Sequence, residues 1–145
     1  EVRELTHTQY DSLKNLIEEL VYKYDIDLSK KIPLHHTCSN CENWLETEYF
    51  SPVAGHKDGW NTSCPWEHVY NELQSLNNSF LRDQIKYKKA MIKLGDILWK
   101  STIESLRSLE NKLALLQENK YSSKQKYILD EISKKLSVEL DKRAS

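Results

Sequence analysis

Gly55-His56-Lys57-Asp58-Gly59-Trp60-Asn61-Thr62-Ser63-Cys64-Pro65 is the stretch on which the reading of this 145-residue chain turns. It closes the only part of the chain rich in turn residues. Pro33, Pro52 and Pro65 are all the prolines, and Gly55 and Gly59 are two of the three glycines. All three cysteines, Cys38, Cys41 and Cys64, fall in the same window. Beyond Pro65 there is no proline and only Gly95. Proline fixes φ and removes a donor, and glycine loosens the backbone. The window 33–65 therefore reads as loops, with a short strand near Tyr49–Ala54, between helical flanks.

Upstream, Leu5 to Tyr24 reads as an amphipathic helix. Thr6 and Gln9 fit a capping box, with Leu5 and Tyr10 as the hydrophobic staple around it. Tyr10, Leu13, Leu16, Ile17, Leu20, Val21 and Tyr24 then recur on one face of a 3.6-residue period. Downstream, Val69, Leu73, Leu76 and Phe80 are spaced four, three, four, and Tyr87, Met91, Leu94 and Leu98 repeat the spacing. Ile103, Leu106, Leu109, Leu113 and Leu116 continue the stripe after a phase shift. Such a pattern predicts long helices packed as a hairpin or coiled coil. Asn77-Asn78-Ser79 offers one break and Asn119–Ser123 a better one, because Ser122 and Gln125 can cap a new helix carrying Ile128, Leu129, Ile132, Leu136 and Leu140.

Charge narrows the function classes. The net charge is −1, which argues against a strong nucleic-acid binder. Residues 1–65 hold 6 basic and 11 acidic side chains; residues 66–145 hold 15 and 11. The basic excess fits a solvated, lysine-rich helix face. No stretch approaches the roughly 18 apolar residues of a membrane-spanning helix. The chain opens on Glu1 without a signal-peptide pattern, as expected of a mature or excised piece.

The chemistry concentrates in the quoted window. Histidine nitrogen and cysteine thiolate are good Zn²⁺ ligands, and a loop carrying Gly59 can bring His56 and Cys64 together. Asp58 is placed to orient a ligand or the loop, as carboxylates behind metal ligands do. A purely structural role for His56 and Cys64 is the competing reading.

These residues match a family. Gly55-His56-Lys57-Asp58 followed by Thr62-Ser63-Cys64-Pro65 resembles the Gly-His-Arg-Asp and Thr-x-Cys-Pro-Gly segment of zinc-dependent N-acetylmuramoyl-L-alanine amidases of the peptidoglycan-recognition-protein type. Leu5-Thr6, Gln9, Leu13, Leu16-Ile17, Leu20, Tyr24 and Ile26 resemble that family's preceding helix. Glu67 to Leu73 resembles the short helix after its cysteine. The resemblance covers roughly residues 4–75.

It implies a mainly α fold with a small β component: the C-terminal half of an α/β amidase fold in residues 1–75, then a helical tail in 76–145. Residues 33–51 would be an inserted loop. It also implies His56 and Cys64 as Zn²⁺ ligands, Thr62 as the donor to the substrate carbonyl or its oxyanion, and Asp58 as a supporting carboxylate. Trp60 and Trp66 become candidate substrate contacts, Trp66 standing where the family has glycine. The implied reaction is hydrolysis of the lactyl–L-alanine amide of peptidoglycan or a muropeptide, outside the cell or in the bacterial or phage-associated envelope.

The departures set further expectations. The family's first zinc histidine and its catalytic tyrosine or glutamate precede the matched helix, so an upstream segment or another chain is expected to supply them, and this chain alone is expected to be inactive. His35-His36-Thr37-Cys38-Ser39-Asn40-Cys41 leaves three readings open: a second, structural Zn²⁺ site, a local disulfide, or two unpaired thiols. His7 and His68 read as non-ligands. The competing functional classes are a non-catalytic peptidoglycan-binding module and a helical assembly protein that forms oligomers.

Overall fold

The computed structural model describes residues 4–36, 46–55, 58 and 63–145. Among these the protein is mainly helical, with one small antiparallel strand pair. The elements run α1 (His7–Lys23), β1 (Ile32–His36), β2 (Glu46–Phe50), α2 (Glu67–Lys100), α3 (Ile103–Leu116) and α4 (Ser123–Ala144). The chain divides into two compact units: residues 1–21 with 25–84, and residues 22–24 with 85–145. The long helix α2 contributes its first half to one and its second half to the other.

In the first unit, α1 starts as the sequence predicts. Gln9 N–H donates to Thr6 Oγ1 at 3.2 Å, and Thr6 N–H donates to Gln9 Oε1 at 2.9 Å, the reciprocal capping box. The helix ends at Asp25, whose φ of 51° is left-handed. A short polar side chain tolerates that conformation. The Ile26 N–H then reaches back to the Val21 carbonyl at 2.9 Å. Gln84 of α2 secures the exit: its Nε2 donates to the Ile26 carbonyl at 2.8 Å, and its Oε1 accepts from the Leu28 N–H at 3.0 Å. Ile17, Val21, Leu28, Leu76 and Phe80 are the buried apolar residues among those described in this unit. The inner face of α1 also borders an apolar cavity of about 250 Å³ with Leu28, Val53 and Leu73.

The strands differ from the expectation. The strand foreseen at Tyr49–Ala54 lies earlier, at Glu46–Phe50, and pairs with Ile32–His36 in the register Ile32 to Phe50, Pro33 to Tyr49 and His36 to Glu46. The partner strand was not foreseen, because Pro33 argues against a central strand. A two-stranded ribbon is all edge, so a missing N–H at Pro33 is tolerated. Residues 51–55 lie outside the strand.

Asn77-Asn78-Ser79 does not break the chain; α2 runs through it. Leu76 and Phe80 on either side are buried, and burying two such side chains contributes roughly 3–6 kcal/mol, more than the modest helix propensity lost at three polar positions. The interruption comes instead at Ser101-Thr102, where the stripe shifts phase. Thr102 caps α3, its side chain accepting from the Ser105 N–H.

The second unit is built on the stripe. Leu98 of α2, Leu106 and Leu113 of α3 and Leu136 of α4 form its buried core, with Leu94, Leu109, Leu129, Ile132 and Leu140 packed against it. Helix α4 begins at Ser122 with a full capping box to Gln125, as predicted. Tyr22 meets Tyr127 edge-on at 5.6 Å between ring centroids, and Tyr87 lies 5.8 Å from Tyr127. Arg143 near the end of α4 donates to the carbonyls of Leu98 (3.0 Å), Trp99 (2.5 Å) and Ser101, satisfying the open C-terminal end of α2. Its Nε also pairs with buried Glu139 at 2.8 Å. Gly95 sits inside α2, where glycine costs about 1 kcal/mol relative to alanine.

Candidate functional site

The candidate site grows from Asp58. Its Oδ2 accepts the Gly55 N–H at 2.7 Å, and its own N–H donates to the Gly55 carbonyl at 3.0 Å. Its Oδ1 accepts the Tyr70 hydroxyl at 2.5 Å. One carboxylate thus joins the start of the quoted loop to the first turns of α2. Charge assistance makes bonds of this kind the stronger class. The interaction holds the Tyr70 hydroxyl in its neutral form and raises its pKa above the usual value near 10, the bond to Asp58 being the main cause, followed by burial and by the negative charges of Asp58 and Glu67.

Gly55 is required by closeness. A Cβ there would lie 2.8 Å from Pro65 Cδ and 2.9 Å from Tyr70 Cδ2. The two ends of the loop, Gly55 and Pro65, are therefore packed against each other and against the Tyr70 ring. Cys64 precedes Pro65 through a cis peptide bond and is exposed. Trp66 follows, also largely exposed. A polar cleft of about 490 Å³ lies beside this knot, lined by Lys31, Tyr49, Ser51, Asp58, Tyr70 and Gln74. Tyr49 offers it an exposed aromatic face.

Asp58 behaves as a supporting carboxylate of the loop, and Cys64 and Trp66 lie at its C-terminal end. His56, Trp60 and Thr62 lie outside the described residues, as do Cys38 and Cys41 and the side chains of His35 and His36. Among the described residues no group of three or more His, Cys, Asp or Glu side chains is placed to hold a metal ion. His7 lies 3.7 Å from Asp11 on the exposed face of α1. Tyr70 was missed as a site residue. Its only signal in the sequence was its place in the first turns of the helix after Pro65.

Comparison of the chain with known protein families, curated proteins and solved structures gives no match. Among the described residues no helix is long and apolar enough to cross a membrane.

Proposed function

We propose that this chain carries the C-terminal part of a zinc-dependent N-acetylmuramoyl-L-alanine amidase domain, which cleaves the lactyl–L-alanine amide of peptidoglycan, followed by a helical tail. The observation that carries the reading is the knot of Asp58, Gly55, Pro65 and Tyr70. It ties together the two ends of the loop whose sequence resembles that family's metal segment. Zn²⁺ suits the residues concerned: the Cys64 thiol is exposed at the loop end, and imidazole with thiolate is a zinc donor set. His56 and Cys64 would hold the ion, with a further ligand from an upstream segment or a partner chain. Bound zinc would polarise the scissile carbonyl and lower the pKa of a water to about 7.

The remaining roles belong to the chain. Asp58 restrains Gly55 and Tyr70. Thr62 donates a hydrogen bond to the carbonyl oxygen as it gains charge. Trp60 and Trp66 supply ring faces for the sugar, and the cleft at Tyr49 takes the stem peptide. The setting is the cell envelope or its exterior.

The test is metal content and hydrolysis. The protein together with its upstream sequence, loaded with Zn²⁺ and dialysed, is expected to retain zinc stoichiometrically, and His56→Ala and Cys64→Ser are each expected to abolish retention. Stoichiometric zinc unchanged in both variants overturns the assignment. Release of L-alanine-terminated peptides from muropeptides, tested with and without the upstream sequence, separates catalysis from recognition.

A second reading, a helical assembly module, is favoured by the exposed apolar side chains Ile92, Ile97 and Leu115 on α2 and α3. Sedimentation of the full chain decides it: concentration-dependent oligomers supports assembly, and a strict monomer rejects it.

A further inference from the structure

We propose that the second unit holds a binding cleft for an anionic glycan, floored by Gly95 and walled by Trp99 and the lysines of α4. The proposal is independent of the amidase reading, since every residue belongs to residues 85–145 and neither zinc nor hydrolysis enters the test. The cleft measures about 430 Å³ and runs between the last turns of α2 and the second half of α4.

Gly95 is the first observation. It lies inside α2, where glycine weakens the helix, and its φ is not left-handed. A Cβ added there meets no atom within 4 Å. Neither the backbone nor packing calls for glycine at this position. What glycine does supply is bare helix surface at the floor of the cleft, where a ligand can approach the backbone closely.

Trp99 is the second. One turn on from Gly95, the residue is 69% exposed. A tryptophan in water with an open face is suited to stack on the C–H face of a sugar ring, combining apolar area with a polar edge.

Charge is the third. Lys134, Lys135 and Lys142 line the cleft. Lys134 is paired with Glu131 at 2.8 Å. Lys135 and Lys142 have no ion-pair partner among the described residues. Glu139 is the one carboxylate among the described lining residues. It is 7% exposed and is answered by Arg143, so it does not cancel the lysines. The cleft therefore presents uncompensated positive charge beside an aromatic face, complementary to sugar rings bearing carboxylate or phosphate. Its concave shape favours a single glycan strand over a flat lipid surface.

Calorimetric titration of the full chain with oligogalacturonate, a hexose-phosphate oligomer and neutral dextran of matched length tests this. The expected result is binding of at least one anionic oligomer, at least tenfold tighter than dextran. Lys135→Glu combined with Lys142→Glu is expected to weaken it at least tenfold, and Trp99→Ala at least fivefold. Gly95→Leu fills the floor while favouring the helix, so unchanged circular dichroism with at least fivefold weaker binding is expected. No binding of either anionic oligomer overturns the proposal, as does dextran binding equally well. So do affinities unchanged in both Trp99→Ala and Gly95→Leu, or binding confined to phosphatidylglycerol vesicles or duplex DNA.

Discussion

The Tyr70 hydroxyl donates to Asp58 Oδ1 at 2.5 Å while the other oxygen of the same carboxylate holds the Gly55 N–H. A side chain in the first turns of α2 is thus tied through one carboxylate to Gly55, 15 residues earlier in the chain.

Tyr70→Phe removes this donor and leaves the ring. The expected cost is about 1–2 kcal/mol, since the acceptor is charged but only partly buried. Urea denaturation measures it. The pH dependence has a definite sign. The folded-state pKa of Tyr70 is raised, so its contribution is fully present below the unfolded value near 10 and is lost as pH rises through the folded value. Stability of the wild type is expected to fall faster than that of Tyr70→Phe above pH 10, and equal slopes would refute the assignment.

Gly55→Ala places a methyl group 2.8 Å from Pro65 Cδ and 2.9 Å from the Tyr70 ring. Both neighbours are rings, so relief requires backbone movement. A loss of about 1–3 kcal/mol is expected, as for other overpacked sites, together with weakened zinc retention. Thermal unfolding and metal analysis of one preparation check both.

Asn77 is 5% exposed, and its side-chain oxygen has no hydrogen-bond partner among the described residues. Leaving such a group unsatisfied costs about 1–3 kcal/mol. Asn77→Ala removes it and improves helix propensity, at the expense of a small void. A net gain of roughly 1 kcal/mol is expected from denaturant titration; a loss would show that the amide is satisfied in solution.

Arg143 answers Glu139 and caps the end of α2 at once. Arg143→Leu strips both, leaving a carboxylate almost without solvent, and about 3–5 kcal/mol is expected to be lost. Adding Glu139→Leu is expected to restore part of this, because the stranded charge goes too. A double-mutant cycle measures the coupling; additive losses would mean that the pair acts only through the helix end.

How much of this was legible varies with range. The capping boxes at Thr6–Gln9 and Ser122–Gln125 need residues three apart, and both were read from the chain and found in the structure. The leucine stripe likewise marked the face that carries Leu98, Leu106, Leu113 and Leu136 into the core, because a 3.6-residue period is a local property, whereas Leu16, Leu20 and Tyr24 of α1 and Ile103 and Leu116 of α3 belong to the predicted faces and are exposed. Asp58 stood out in the sequence as a carboxylate inside the Gly55–Pro65 stretch, and its bond to the Gly55 N–H three residues back is local. Its other partner was not legible, since Tyr70 is 12 residues away and nothing in the spacing selects it.

By itself, then, the sequence determined the helical class and the caps, both set by neighbours within one or two turns. Tertiary structure alone decided the rest. Burial of Leu76 and Phe80 carried α2 through Asn77–Ser79. Ladder bonds paired Ile32–His36 with Glu46–Phe50 despite Pro33. Arg143 found its carbonyls at Leu98, Trp99 and Ser101 more than 40 residues away. In each case the deciding energy comes from water excluded, or a polar group satisfied, by residues remote in the chain. Local spacing holds no record of those partners.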